Sequence, residues 1–111
     1  MQMVITIVKD YRVVEELLLT YIDIDVTGAT VIEGHGMGQL LADIPILAGL
    51  RGLFPGAGEN SYVTLALVNE DRVDACFSAI DEVIGDLTIS GNGIAFSVPV
   101  GRVKGLKPSI R

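Results

Sequence analysis

The sequence is poor in the residues that catalytic and metal sites most often use. Its 111 residues include one cysteine, one histidine and no tryptophan. Cys76 alone can form neither an internal disulfide nor a Cys-x-x-Cys zinc site, so we expect a reducing compartment, the cytoplasm. His35 has no second histidine beside it, and no Cys/His pair stands at a recognisable spacing. We therefore expect no catalytic residues and no metal site.

Basic residues are also few, and they are unevenly placed. The chain carries 8 Lys+Arg against 14 Asp+Glu, a formal net charge of -6. A nucleic-acid partner is not expected, because neutralising phosphates requires a basic stripe. Residues 87–111, however, carry +4 and the rest of the chain carries -10. This C-terminal tail is the surface that we expect to attract a small anion.

Long apolar runs and targeting signals are missing too. The first residues lack a basic segment and an A-x-A site, so no signal peptide is expected. The longest apolar zone, 40–54, is interrupted by Asp43, Pro45 and Arg51 and is shorter than the ~20 residues of a spanning helix. We expect no direct membrane insertion. Half of the residues are apolar, which is enough for one folded domain over 1–111.

Apolar periodicity predicts four strands and two helices in the order βαββαβ. The predicted strands are 3–9, 26–33, 61–68 and 94–100, and the predicted helices are 11–22 and 73–85. Asp10 and Asn69 are the predicted N-caps, and Pro99 requires an edge strand or a strand end. This order indicates an α+β, ferredoxin-like sandwich, in which both helices cover one face of an antiparallel four-stranded sheet.

Both faces of the predicted sheet are apolar. Val4 and Val8 alternate with Met3, Ile5 and Ile7, whereas a half-exposed sheet normally alternates apolar and polar residues. Tyr62 and Ala66 likewise alternate with Val63, Leu65 and Leu67. Two helices can cover only one face. We expect the other face to meet copies of itself in a closed oligomer, the alternative being a cover formed by the chain's own long loop.

The segment between the second and third predicted strands is long and unusual. Residues 34–58 hold seven of the thirteen glycines together with many apolar side chains. Loops of this length are usually functional, and exposed apolar residues favour docking. The docking surface would be the chain's own oligomer, a partner groove or a membrane surface. Alternatively, the segment contains one short helix packed on the core.

Four stretches, taken in register, resemble the PII signal-transduction (nitrogen regulatory protein) superfamily. They are VITIVKDY near the start, VTGATVIEGHGMG before the long segment, VDACFSAI in the second helix and GNGIAFSVPVGRV near the end. The resemblance implies a homotrimer of ferredoxin-like subunits. It also implies an adenine nucleotide site between neighbouring subunits and an extended T-loop, here 36–59, that reaches regulated targets.

The resemblance also implies the nucleotide-binding positions. These are Ile7, Thr30, Gly36, Met37, Gly38, Thr64, the B-loop glycines Gly91 and Gly93, and the basic positions Arg102 and Lys107. Two cations of the family pattern are missing, because Ile94 replaces the B-loop lysine and Gly105 replaces the first of two arginines. Each lost charge-assisted hydrogen bond is worth ~1.5–3 kcal/mol, so we expect weak ATP binding. AMP, ADP, a cyclic nucleotide or another small anion, held by Lys104, Lys107 and the glycine turn, is the alternative effector, and no cofactor is required.

The T-loop departs from the pattern as well. It contains no tyrosine or serine between Gly38 and Gly58, so covalent modification there is not expected. Its partner-binding residues are expected to be apolar with one arginine: Leu40, Leu41, Ile44, Ile46, Leu50, Arg51 and Phe54. An apolar loop favours an apolar target, and a membrane transporter is the candidate. The leading hypothesis is a non-enzymatic trimeric regulator, and the alternative is a constitutive trimeric interaction module with a degenerate nucleotide site.

Overall fold

The computed structural model shows an α+β chain built on one antiparallel sheet. It describes residues 1–42, 44, 46, 60–85, 87 and 93–106. In chain order the elements are β1 (Gln2–Val8), α1 (Tyr11–Asp23), β2 (Ala29–His35), α2 (Met37–Ala42), β3 (Asn60–Val68), α3 (Val73–Ile84) and β4 (Ile94–Pro99). The four predicted strands and both predicted helices are present, and α2 is an additional short helix within the long segment.

The four strands lie in the order β2-β3-β1-β4. Each neighbouring pair is antiparallel, with Thr6 opposite Thr64 between β1 and β3 and His35 opposite Asn60 between β2 and β3. The architecture is compatible with a ferredoxin-like fold. Pro99 is the last residue of edge strand β4, where its missing N–H costs no ladder hydrogen bond, as its sequence position predicts.

Helix α1 begins where the sequence predicts. Asp10 has an extended backbone, and its carboxylate accepts a hydrogen bond from the Arg12 backbone N–H at 2.9 Å. This contact satisfies one of the free N–H groups of the first turn. The apolar stripe of Val14, Leu17 and Tyr21 is buried against the sheet and the neighbouring helix.

The core lies between one face of the sheet and helices α1 and α3. Its buried members are Val4, Ala66 and Val68 of the sheet, Leu17 and Tyr21 of α1, Val26, and Cys76, Ala79 and Ile80 of α3. Cys76 is fully buried on the core side of α3. The hydroxyls of Thr6 and Thr64 hydrogen-bond to each other within this layer.

Two local predictions differ from the structure. Strand β2 spans Ala29–His35 rather than 26–33, because the Val26 N–H bonds to the Tyr21 carbonyl at 2.8 Å and closes the end of α1. Asn69 makes no side-chain cap. Its carbonyl instead accepts the Arg72 N–H at 2.9 Å, and a 3-10 turn over Glu70–Arg72 leads into α3. Among the helices in the described ranges, none is both long and apolar enough to cross a membrane.

Candidate functional site

The face of the sheet opposite α1 and α3, here called the open face, is apolar, as the sequence predicts. Met3, Ile5 and Ile7 run along its centre and are only half-buried. On the edge strands, Ile32 is 48 % exposed and Ile94 is 55 % exposed. Further apolar residues of this face are Val63, Leu65 and Leu67 of β3 and Phe96 and Val98 of β4. In the described part of the subunit this face has no covering helix.

One corner of the open face, here called the loop-root corner, combines Lys9, Gly36 and Ser61. The Lys9 Nζ donates a hydrogen bond to the Ser61 Oγ at 2.9 Å. A Cβ on Gly36 would lie 3.1 Å from that Nζ and 3.7 Å from that Oγ. Gly34, directly opposite Ser61 in the β2–β3 register, has open space where a side chain would be. The corner is therefore a recess that carries a positive charge, at the point where the long segment begins.

Gly93 lies at the same end of the sheet. Its φ of +136° belongs to the region that favours glycine, and an added Cβ would lie 2.6 Å from the Ile7 carbonyl oxygen. The chain entering β4 can therefore pass this close to β1 only without a side chain at this position. The next residue, Ile94, pairs directly with Ile7.

A chain of polar side chains joins both ends of the long segment. The His35 Nδ1 lies 3.2 Å from the Gln39 Oε1, and the Gln39 Nε2 donates to the Asn60 Oδ1 at 2.9 Å. The Asn60 Nδ2 donates in turn to the Glu33 Oε1. Helix α2 is thus tied through Gln39 to the first residue of β3. His35 is exposed at the end of β2.

A second feature, here called the C-terminal groove, lies further along the open face. It is an open cavity of about 300 Å³. Its walls come from the sheet and from the chain after β4: Met3, Gly28, Thr30, Leu65, Leu67, Val103, Lys104, Gly105 and Leu106. Lys104 and Gly105 are exposed, and Gly105 has a φ of +90°. The groove therefore places an apolar floor beside a lysine.

The structure brings only some of the predicted nucleotide positions together. Gly36 lies at the loop-root corner, and Gly93 contacts Ile7 at the same end of the sheet but on the β4 side of β1, whereas Thr30 lines the C-terminal groove. Arg102 is exposed and follows β4 at the opposite end of the sheet, near the start of β1. Met37 is exposed and Gly38 half-buried in α2. Gly91 and Lys107 lie outside the described residues.

Thr64 does not belong to this surface. It has no exposed area, and its hydroxyl is bonded to Thr6 on the face that the helices cover. Side chains alternate between the two faces of a strand, so Thr64 shares the side of Ala66 and not that of Leu65. The resemblance therefore assigned a ligand contact to a residue that the fold uses in the core.

The predicted partner-binding residues are described in part. Leu40 and Ile44 are largely exposed, Ile46 is 89 % exposed, and Leu41 is half-buried. The predicted alternative of a short helix is realised in α2, although its Met37 and Leu40 side chains face solvent rather than the core. Leu50, Arg51 and Phe54 lie outside the described residues.

Lys9, Ser61 and Asn60 are site residues that the sequence analysis missed. A signal for Lys9 exists, because it continues the alternation of Met3, Ile5 and Ile7 onto the open face. No local signal exists for Ser61 and Asn60, since only the pairing of β3 with β1 and β2 brings them to this corner.

The buried titratable groups lie away from both features. Burial in the helix layer raises the pKa of the Cys76 thiol to about 11. Burial, followed by the interaction with Cys76, raises the pKa of Tyr21 above its ordinary value. No three His, Cys, Asp or Glu side chains in the described ranges converge as metal ligands would. The chain matches no family model and no curated protein.

Proposed function

We propose that this chain is a PII-like regulatory subunit with the ferredoxin-like βαββαβ fold. Three copies assemble into a homotrimer that binds a small anionic effector, such as AMP, ADP or ATP, between neighbouring subunits. Occupancy changes the segment 36–59, and its apolar residues regulate a protein target, for which a membrane transporter is the candidate. The proposal rests on the resemblance of the four sequence stretches together with the geometry of the open face.

This proposal is carried by the separation between two parts of the proposed site, the loop-root corner and the C-terminal residues around Arg102. The loop-root corner lies at the end of β1, whereas Arg102 follows a strand that ends opposite Gln2 at the start of β1. Seven strand residues span roughly 20 Å at ~3.4 Å per residue. No contact in the described ranges joins Lys9 to Arg102 within one subunit. In the proposed trimer, the corner of one subunit lies beside the C-terminal end of another, so that both sets of residues contact one ligand.

The open face supplies a reason for assembly. Strands β1 and β4 place apolar residues at every outward position in the described register. Strand β3 contributes Val63, Leu65 and Leu67 beside Ser61, and β2 contributes Ile32 beside Thr30 and Gly34. Leaving such a surface in water is unfavourable by about 25 cal/mol per Å² of apolar area. Closed assembly of three copies removes this surface from water. It also brings the two halves of the proposed site together.

The loop-root corner offers a route from effector to target. Gly36 lies directly before α2, and its carbonyl accepts the Leu40 N–H at 3.1 Å. Gln39 of the same helix bonds to Asn60, where the long segment returns to the sheet. An effector that contacts Gly36 therefore acts within one helical turn of both ends of the segment. Its differential affinity for the segment's conformers shifts their populations.

The alternative is a constitutive trimeric interaction module with a degenerate nucleotide site. Ile94 favours it, because an exposed isoleucine stands opposite Ile7 where the family pattern has a lysine. Gly105 in the C-terminal groove likewise replaces an arginine. In this reading, the apolar segment binds its partner regardless of effector.

The proposal is tested by solution mass and calorimetry on the same samples. Sedimentation equilibrium is expected to give three times the monomer mass. Titration with AMP, ADP, ATP, inorganic phosphate and bicarbonate is expected to give saturable binding, with ATP not favoured over AMP or ADP. Gly36→Ala and Lys104→Ala, one in each half, should each weaken binding. Gly101→Ala should not, because its added Cβ meets no atom within 4 Å.

Two outcomes would contradict the proposal in different ways. A stable monomer removes the shared site altogether. A trimer that binds none of these five probes excludes the sensing function and leaves the constitutive interaction module.

A further inference from the structure

The recess at the loop-root corner combines a lysine, a buried serine and open space, which are features of an anion-binding subsite. Ser61 is buried, and its Oγ holds the Lys9 ammonium at 2.9 Å. An ammonium has three N–H donors, and this contact uses one of them. Gly34 stands opposite Ser61, with no atom within 4 Å of an added Cβ. The recess therefore has a cation fixed at its rim and free volume beside it.

The charge of Lys9 is not neutralised by the described acidic residues. No carboxylate of the described ranges lies within 4.0 Å of its Nζ, whereas the Arg12 Nε lies 3.7 Å from the Asp10 Oδ1. Lys9 is also half-buried, whereas the Arg12 side chain is 88 % exposed. A partly buried cation that has no counter-ion among the described residues favours an anionic ligand, since the interaction is less screened than at the surface.

The position of Lys9 relates it to the missing cation at position 94. Ile94 pairs with Ile7 on the open face, and Lys9 lies two residues beyond Ile7 along the same line of side chains. Two strand residues correspond to about 7 Å. The Lys9 Nζ extends towards Ser61 of β3, on the side of β1 away from β4. The cation at this end of the sheet therefore lies next to Gly36 and not at position 94.

We propose that Lys9 binds the anionic group of the effector, a phosphate or a carboxylate, in the recess over Gly34, with Ser61 as the positioning residue. This inference rests on the proposed function and identifies the cation that replaces the missing lysine. Thr30 and the C-terminal groove of the neighbouring subunit then contact the uncharged part of the same effector.

The test compares phosphorylated and unphosphorylated probes. AMP, ADP, ATP, adenosine, inorganic phosphate and bicarbonate are titrated into the full-length chain and into Lys9→Gln. Arg12→Gln is the matched control. It removes the same charge three residues after Lys9, and the side chain that it removes is already paired with Asp10. Gly34→Val fills the open space of the recess and retains the lysine. Sedimentation and circular dichroism of each variant check assembly and folding.

Lys9→Gln is expected to lower the affinity for the phosphorylated probes by roughly 10- to 100-fold, the range for one charge-assisted hydrogen bond. Its adenosine affinity should stay within about twofold of the starting chain, and Arg12→Gln should behave like the starting chain for every probe. Lys9→Arg should retain more phosphate affinity than Lys9→Gln. Ser61→Ala should reduce the preference for AMP over adenosine, a change that a purely structural role would not produce. Gly34→Val should reduce the binding of all anionic probes.

Four results distinguish failure of this inference from failure of the proposed function. If Lys9→Gln and Arg12→Gln bind AMP, ADP and ATP equally well, Lys9 is not the anion ligand, although the proposed function stands. If adenosine and AMP lose affinity to the same extent in Lys9→Gln, the effect is structural and the inference is wrong. If the starting chain binds no probe, the sensing function and this subsite are both excluded. If Lys9→Gln does not fold, the AMP affinities of Gly34→Val and Lys9→Arg test the inference instead. An unchanged AMP affinity in Gly34→Val would show that the anion does not bind over Gly34.

Discussion

The buried hydroxyl pair of Thr6 and Thr64 gives the sharpest stability test of this fold. The two residues are direct cross-strand partners, both have no exposed surface, and their hydroxyls bond to each other. Thr64→Val keeps the shape but leaves the Thr6 hydroxyl buried without this partner. Such an orphaned group costs about 1–3 kcal/mol. Thr6→Val should cost a similar amount for the same reason.

The double variant should recover most of this loss. Replacing both hydroxyls by methyl groups of the same shape removes the need for a hydrogen bond, and valine suits a strand. The coupling energy between the two sites should therefore be at least about 1 kcal/mol. Urea unfolding followed by far-UV circular dichroism measures it, with all variants at one protein concentration because assembly contributes to apparent stability.

Two results would refute this reasoning. Additive losses in the double variant would show that the hydroxyls do not depend on each other. A Thr64→Val protein of unchanged stability that no longer binds nucleotides would place Thr64 in the ligand site, contrary to its burial beneath the helices. The expected result is lower stability with nucleotide affinity unchanged.

Two further predictions concern the glycines and the buried thiol. Gly93→Ala should lower the free energy of unfolding by about 3 kcal/mol, since it combines a positive φ with an added Cβ 2.6 Å from a backbone oxygen. Gly85→Ala, which has a φ of +81° and a ψ of −150° but no nearby atom, should cost less, about 2 kcal/mol, and equal losses in urea unfolding would contradict this difference. Stability should fall as the pH rises from about 9 towards 11, because native Cys76 keeps its proton while the unfolded chain releases it at the ordinary pKa of 9.0. Cys76→Ala should remove the part of the decline that comes from the thiol, and Tyr21 should add to the decline at still higher pH. If the stability of Cys76→Ala depends on pH in the same way as that of the starting chain, the thiol is not responsible.

The helices and the character of both sheet faces could be predicted from near neighbours along the chain. Asp10 caps α1 through a contact to Arg12, two residues away, and such short-range geometry is visible in the sequence. Period-two alternation likewise revealed that Ile5 and Ile7 form a second apolar face. The same alternation also puts Thr64 on the helix side. The resemblance, by contrast, implies a ligand contact for Thr64, which is a buried residue in this structure.

The composition of the loop-root corner was beyond sequence reasoning. Lys9 and Ser61 are 52 residues apart in the chain, and their contact exists because β3 enters the sheet between β1 and β2. The tie between Gln39 and Asn60 spans 21 residues, across a segment whose length alone does not fix where its ends meet. Strand order is a property of the whole sheet, so no local pattern specifies it.

The sequence by itself therefore determined the types of the predicted elements, the cap of α1 and the apolar character of both sheet faces, since these follow from steric and hydrophobic preferences over a few residues. Only the tertiary structure decided that Lys9, Ser61 and Gly36 share one corner, that Asn69 makes no side-chain cap, and that Lys9 and Arg102 lie at opposite ends of the sheet. These contacts depend on which distant strands pair. The pairing in turn depends on how the whole sheet packs against the helices, which no short stretch of sequence specifies.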